Sequence, residues 1–182
     1  MQIRTVYDNG FYRVELVQTR DGQRTRIVCA DSVSVLIYNR TRDAVLLVRQ
    51  PRVCAIRADN PEGLLTEVVA GRFDVKLGPK ALALKEAREE AGVNVLEDQV
   101  ELLNSGEPMY LSAGIITERV YLAYLKVDDS MVEQNERVFG EACEGERISR
   151  VWVPVEELPS YVCEDVRVFT LIQWFLRNKV GK

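Results

Sequence analysis

Residues 71–93 read GRFDVKLGPKALALKEAREEAGV, and the change of period inside this stretch decides the fold. Positions 79–91 are rich in Ala, Leu, Glu and Lys with no interior Gly or Pro, which predicts a helix. Pro79 suits the first helical position and Gly92 the C-terminal stop. At about 100° per residue, Glu86, Glu89 and Glu90 share an arc of roughly 100° on that helix. Like charges so close repel, at a cost of about a few tenths of a kcal/mol per pair. Two readings are open at this point. The arc is a solvated face on which Lys85 and Arg88 pair with the glutamates, or it is a seat for Mg²⁺ or Mn²⁺, hard cations that prefer oxygen ligands.

Upstream of the helix the chain reads as strands. Residues 11–20 alternate apolar and polar, and Asp21-Gly22 is a hairpin turn before a second run at 24–30. SVSVLIY (32–38) and AVLLVR (44–49) form another hairpin around residues 39–43, residues 54–63 read as a loop, and 64–70 as a further strand. Downstream, strands are expected at 100–105, 117–127 and 148–153. A last amphipathic helix then runs from 166 to about 178, capped by Asp165, with Val168, Leu171, Ile172, Phe175 and Leu176 inward. Strands, one helix, more strands and a closing helix make an α/β/α sandwich on a mixed sheet, rather than a doubly wound parallel one. The division expected is an N-terminal antiparallel β subdomain at 1–30 and a main domain at 31–182.

The composition removes several chemistries. The 182 residues contain no histidine, so Ser-His-Asp and Cys-His catalysis and His-ligated zinc are excluded. Cys29, Cys54, Cys143 and Cys163 are scattered with no CxxC pair, as free thiols in a reducing compartment would be. A net charge of −4 disfavours general affinity for nucleic acid, although a bound cation can reverse the sign locally for a phosphorylated ligand. No apolar run approaches the roughly 20 residues needed to span a bilayer, and the start lacks a signal-peptide layout. The expectation is a cytoplasmic enzyme without membrane or nucleic-acid partners.

The 71–93 stretch resembles the Nudix box: Gly, five residues, Glu, seven residues, Arg-Glu, an aliphatic residue, any residue, Glu-Glu, any residue, Gly, an aliphatic residue. Gly71, Glu86, Ala87, Glu89, Glu90, Gly92 and Val93 fall in register with it. Leu77 stands in place of the first Glu and Lys85 in place of the Arg, two side chains expected to brace loop against helix in the family. The resemblance extends outward to the ADP-ribose and nucleotide-sugar pyrophosphatase branch. SVSVLIYNRTRDAVLLVRQPR (32–52) is similar to its hairpin and RQ-x-R stretch, and EVVAG (67–71) to its strand running into the box. YLSAGIITE (110–118) is similar to its Ser-Pro-Gly segment, with Ala113 for the proline.

That resemblance implies metal-dependent hydrolysis of a nucleoside diphosphate sugar, of the ADP-ribose or GDP-mannose class, by a homodimer that uses its N-terminal sheet for pairing. It implies that Glu86 and Glu90, with the Ala70 carbonyl, ligate Mg²⁺ or Mn²⁺, and that Glu89 is a further ligand or orients the others. A general base is expected from the acidic loop before the last strand, with Glu144 and Glu146 first and Glu141 third. Arg52, and Arg49 beside it, would contact the diphosphate, and Glu118 would support the site. Tyr7, Phe11 and Tyr12 are open to two readings, stacking on a base or packing in a core or dimer contact, whereas Trp152 and Trp174 read as core. Two alternatives accompany this reading: a Nudix hydrolase for another nucleotide, and a nucleotide-binding module of the same fold weakened in turnover, which Leu77 and Lys85 motivate.

Overall fold

The computed structural model describes residues 2–73, 76–140 and 145–180. Its centre is the hairpin of β4 (Ser32–Asn39) and β5 (Ala44–Pro51), buried on both faces as its near-continuous apolar sequence requires. Asn39 turns the hairpin by accepting from the amides of Thr41 and Arg42 at 2.9 and 3.2 Å, and Asp43 takes a positive φ of 47°. The two strands pair only beside this turn, from Ile37↔Leu46 to Asn39↔Ala44. Their open ends splay, and the next segment fills the fork.

That filling corrects the single strand expected at 64–70. The segment is two strands divided at Val68: β6 (Leu64–Glu67) pairs with β5, and β7 (Val69–Arg72) pairs with β4. Val68 packs toward one face of the sheet and Val69 toward the other. The strand expected at 100–105 is also shorter. Only β8 (Glu101–Leu102) pairs, because Asn104 and Ser105 turn into positive φ directly afterwards. β9 (Met109–Tyr110) and β8 both lie antiparallel to β10 (Arg119–Val127), while β10 runs parallel to β4. With β11 (Ser149–Pro154) on the far side, the order β11-β5-β4-β10-β8 is a mixed sheet, as expected.

Helix α1 (Pro79–Ala91) covers one face with Leu82 and with Ala83, Ala87 and Ala91, three small side chains that let it lie close over Val33, Val35, Ile37 and Val69. Gly92 ends it at φ 65°, ψ 31°, and a Cβ there would meet Phe139 at 2.8 Å, so glycine is needed for both conformation and room. Helix α2 (Val166–Asn178) covers the other face with Val168, Leu171, Ile172 and Phe175, against Leu36, Val45, Leu47 and Tyr124. Leu176 and Trp174 are partly buried beside them, and Trp152 is partly buried on the α1 side beneath Arg42. The layers are helix, sheet, helix.

A separate antiparallel sheet of β1 (Gln2–Asp8), β2 (Arg13–Thr19) and β3 (Gly22–Val28) precedes this sandwich. It joins the main body where Ile27 exchanges backbone hydrogen bonds with Ile115 and Thr117, at 2.8 and 3.0 Å. Among the described residues, no helix is long and apolar enough to cross a membrane. Cys29, Cys54 and Cys163 are unpaired; Cys143 lies outside the described residues.

Candidate active site

A cleft of about 800 Å³ opens where the splayed ends of β4 and β5, the β6–β7 segment and α1 meet. Ala70, Gly71, Glu86, Glu89 and Glu90 line it, as do Arg52, Glu118 and Glu146. Glu90 is only 2% exposed, and its Oε2 accepts from the Ala70 amide at 3.0 Å, which fixes α1 to β7. Gly71 is required beside it: a Cβ at that position would sit 2.2 Å from Cδ of Glu86. The glycine thus leaves the space that the Glu86 side chain fills.

Burial pushes the Glu86 carboxyl up to about 7, against the pull of Lys85 and with repulsion from Glu89 and Glu146. Burial likewise raises Glu90 to about 8, opposed by the Ala70 amide and reinforced by Glu86 and Glu146. These carboxyls are costly to ionise together, and a cation between them would relieve the cost. The available donors (carboxylates at 86, 89, 90 and 146 and the backbone at Ala70) are all hard oxygens, the set that suits Mg²⁺ or Mn²⁺ and not a thiolate-seeking ion. Even so, among the described residues no three acidic groups converge on one point as a ready-made cage. The Lys85 ammonium is lodged there instead, 2.6 Å from Glu89 Oε2 and 3.4 Å from Glu86 Oε1. Leu77, in the position of the missing brace, is 39% exposed.

Glu146 reaches the cleft because its loop is pinned at both ends. Phe139 and Ile148 exchange backbone hydrogen bonds at 2.8 and 3.1 Å, and the Gly140 amide donates to the Glu89 carbonyl at 3.1 Å. Phe139 itself is fully buried beneath the guanidiniums of Arg137 and Arg150. Glu141 and Glu144, the other loop candidates, lie outside the described residues.

Arg52 donates from Nε to Glu67 Oε2 at 2.6 Å, and Glu67 is only 3% exposed. The other oxygen of Glu67 accepts from Arg167, which is also held by Asp165, the residue that caps α2. Two guanidiniums therefore clasp one buried carboxylate at the cleft wall. Arg167 was not foreseen. It stands 100 positions from Glu67, and the signal that could have found it is an arginine two residues after a helix-capping aspartate. Glu118 accepts from Ser32 Oγ at 2.6 Å. Arg49 does not join these groups: it lines a neighbouring groove with Glu62, Val138 and Arg147.

Phe11 and Tyr12 reach the cleft mouth from the loop before β2, and both are exposed. The Arg72 guanidinium stacks over them, 5.5 and 5.1 Å from the ring centres. Tyr7 is exposed and does not line the cleft.

A sandwich of this order, a glutamate-bearing helix packed over a glycine at the sheet's open fork, and arginines lining the same cleft agree with the family match: the NUDIX domain matches residues 30–175. The chain belongs to the Nudix family of hydrolases and is a Nudix pyrophosphohydrolase. It is 34% identical over 149 residues to GDP-mannose pyrophosphatase of Cronobacter sakazakii, covering 79% of this chain and 72% of that protein. It is 30% identical over 175 residues to ADP-ribose pyrophosphatase of Haemophilus influenzae, covering 88% and 76%. A GDP-mannose pyrophosphatase of Pectobacterium atrosepticum is 31% identical over 156 residues, covering 86% and 65%.

Proposed function

We propose that the chain hydrolyses the diphosphate of a nucleotide sugar, of the GDP-mannose or ADP-ribose class, to a nucleoside monophosphate and a sugar phosphate, with Mg²⁺ or Mn²⁺ as cofactor. The observation that carries this reading is the partly buried Glu86 and buried Glu90 set against Ala70 and Gly71, in the cleft that Arg52 also lines. Glu86, Glu89, Glu90 and the Ala70 carbonyl would hold the cation, which when bound neutralises phosphate oxygens and acidifies a water. Arg52, steadied at Nε by Glu67, offers its remaining N–H groups to the diphosphate. Glu146 takes the proton of the attacking water as the new P–O bond forms and the bridging P–O bond breaks; Glu144 is the second candidate for that role. Glu118 orients groups on the β4 side through Ser32. Phe11, Tyr12 and Arg72 flank the nucleoside end, since their flat faces suit a base. The exposed β1 edge is the surface on which a second copy would pair to give a homodimer.

The test is a side-by-side screen of GDP-mannose, ADP-ribose and UDP-glucose, with a nucleoside triphosphate and a dinucleoside polyphosphate as controls. Products are identified with and without Mn²⁺. Turnover is expected on a nucleotide sugar only with the cation. Glu90→Gln should lose more than the roughly 10–100-fold typical of a residue that merely supports a ligand. Full activity in that variant would sink the assignment, and preferred turnover of a control would move the substrate class.

A further inference from the structure

Lys85 is the one departure in the box whose consequence is visible at the cleft. Its counterpart in the first half of the motif, Leu77, offers the ammonium no charge to pair with. Helix geometry then brings Lys85 beside Glu89, one turn ahead, and its neighbour Glu86 lies within 3.4 Å. Such an i,i+4 pair is common on exposed helix faces, where it contributes little. This one is different in place. The side chains of Lys85, Glu89 and Glu86 are 34%, 26% and 12% exposed, and all three line the cleft.

We propose that Lys85 is a tethered counter-cation in the cation seat, occupying carboxylate oxygens that a divalent ion needs and so weakening metal uptake by the substrate-free protein. This rests on the metal-site reading above. An ammonium on Glu89 and Glu86 neutralises part of the charge that attracts a metal, and it must swing away before both oxygens can turn to one ion. The same displacement supplies a coupling. A lysine released from Glu89 is a mobile cation on a flexible stem inside the cleft, and the nucleotide's diphosphate is an anion able to receive it. Substrate and metal would then each favour the other's binding, by the same factor in both directions.

Mn²⁺ binding to the substrate-free protein tests this, read by calorimetry and by loss of the free-ion paramagnetic resonance signal, in wild type, Lys85→Met, Lys85→Arg and Glu86→Gln. Lys85→Met keeps the length of the side chain without its charge and is expected to bind Mn²⁺ at least about tenfold more tightly than wild type, a difference of about 1.4 kcal/mol. Lys85→Arg should stay as weak as wild type, and a non-hydrolysable nucleoside diphosphate analogue should tighten Mn²⁺ binding in wild type more than in Lys85→Met. Equal Mn²⁺ affinity in wild type and Lys85→Met, with Glu86→Gln weaker than both, overturns the role of Lys85 and leaves the metal site standing. No uptake in any form, or uptake indifferent to Glu86→Gln, overturns the metal site and this inference with it.

Discussion

Gly71 and Glu86 show how a single missing side chain shapes the site. Fifteen positions apart in sequence, they are so close that a methyl group at 71 would overlap the Glu86 carboxyl at 2.2 Å. Gly71→Ala should therefore force Glu86 aside: overpacking of this kind costs about 1–3 kcal/mol. The expected result is a modest fall in the urea midpoint together with a loss of turnover far larger than that fall explains. A variant with normal kinetics would show that Glu86 does not need that space. That the three glutamates share an arc was legible from spacing alone, because one helix carries the acids at fixed angles; Gly71 and the metal reading came from the resemblance. Arg52 was legible only through resemblance. The Glu67–Arg167 pairing was not, since a buried carboxylate clasped from segments 100 positions apart leaves no local mark beyond the arginine's place after the capping Asp165.

Among the elements, the helices were readable and the short strands were not, for reasons visible in their ends. α1 starts at Pro79 and stops at Gly92, and α2 starts at Asp165, whose carboxylate accepts from the amides of Arg167 and Val168 at 2.7 and 3.2 Å. These are local signals. The break at Val68 has none, because the residue that separates β6 from β7 is as apolar as its neighbours and only the splayed hairpin divides them. Asp165 also carries a pH dependence. Burial raises its pKa, but Arg167 and the helix amides outweigh burial and hold the carboxyl below its ordinary value. A group lowered in this way stabilises the fold above its unfolded pKa of about 4 and loses that contribution as the pH falls further. Asp165→Ala should cost about 1–2 kcal/mol at pH 7, and the gap from wild type should narrow toward pH 3 in urea titrations. A gap independent of pH would mean the carboxylate charge is not what holds the helix start.

For the whole molecule, the crowding of six glutamates with four cationic side chains around one cleft is a standing source of electrostatic cost. A ligand that binds only the folded state stabilises it by mass action, about 2.7 kcal/mol at a hundred times its Kd. At this chain length that corresponds to a rise in Tm of several degrees, since about 1 kcal/mol moves Tm by roughly 2–4 °C. Saturating Mn²⁺ should raise Tm by that amount in wild type, EDTA should reverse it, and Glu86→Gln should blunt it. A melting curve unmoved by Mn²⁺ would tell against cation binding to the folded chain. The sandwich itself followed from the order of elements, whereas the placement of the N-terminal sheet depends on the Ile27 to Ile115 and Thr117 contacts, between segments about 90 residues apart.

The wedge of residues 64–72 in the open hairpin has a further meaning for how this chain can vary. Its side chains alternate between two packed faces while its backbone is claimed from both sides, by β5 and then by β4. Removing or adding one residue just ahead of Val69 would turn Val69 out of its core and exchange the faces of Ala70 and Gly71. Substitutions in this segment can be absorbed one at a time; a change in its length cannot, so its residue count shapes the cleft as much as the glutamates do.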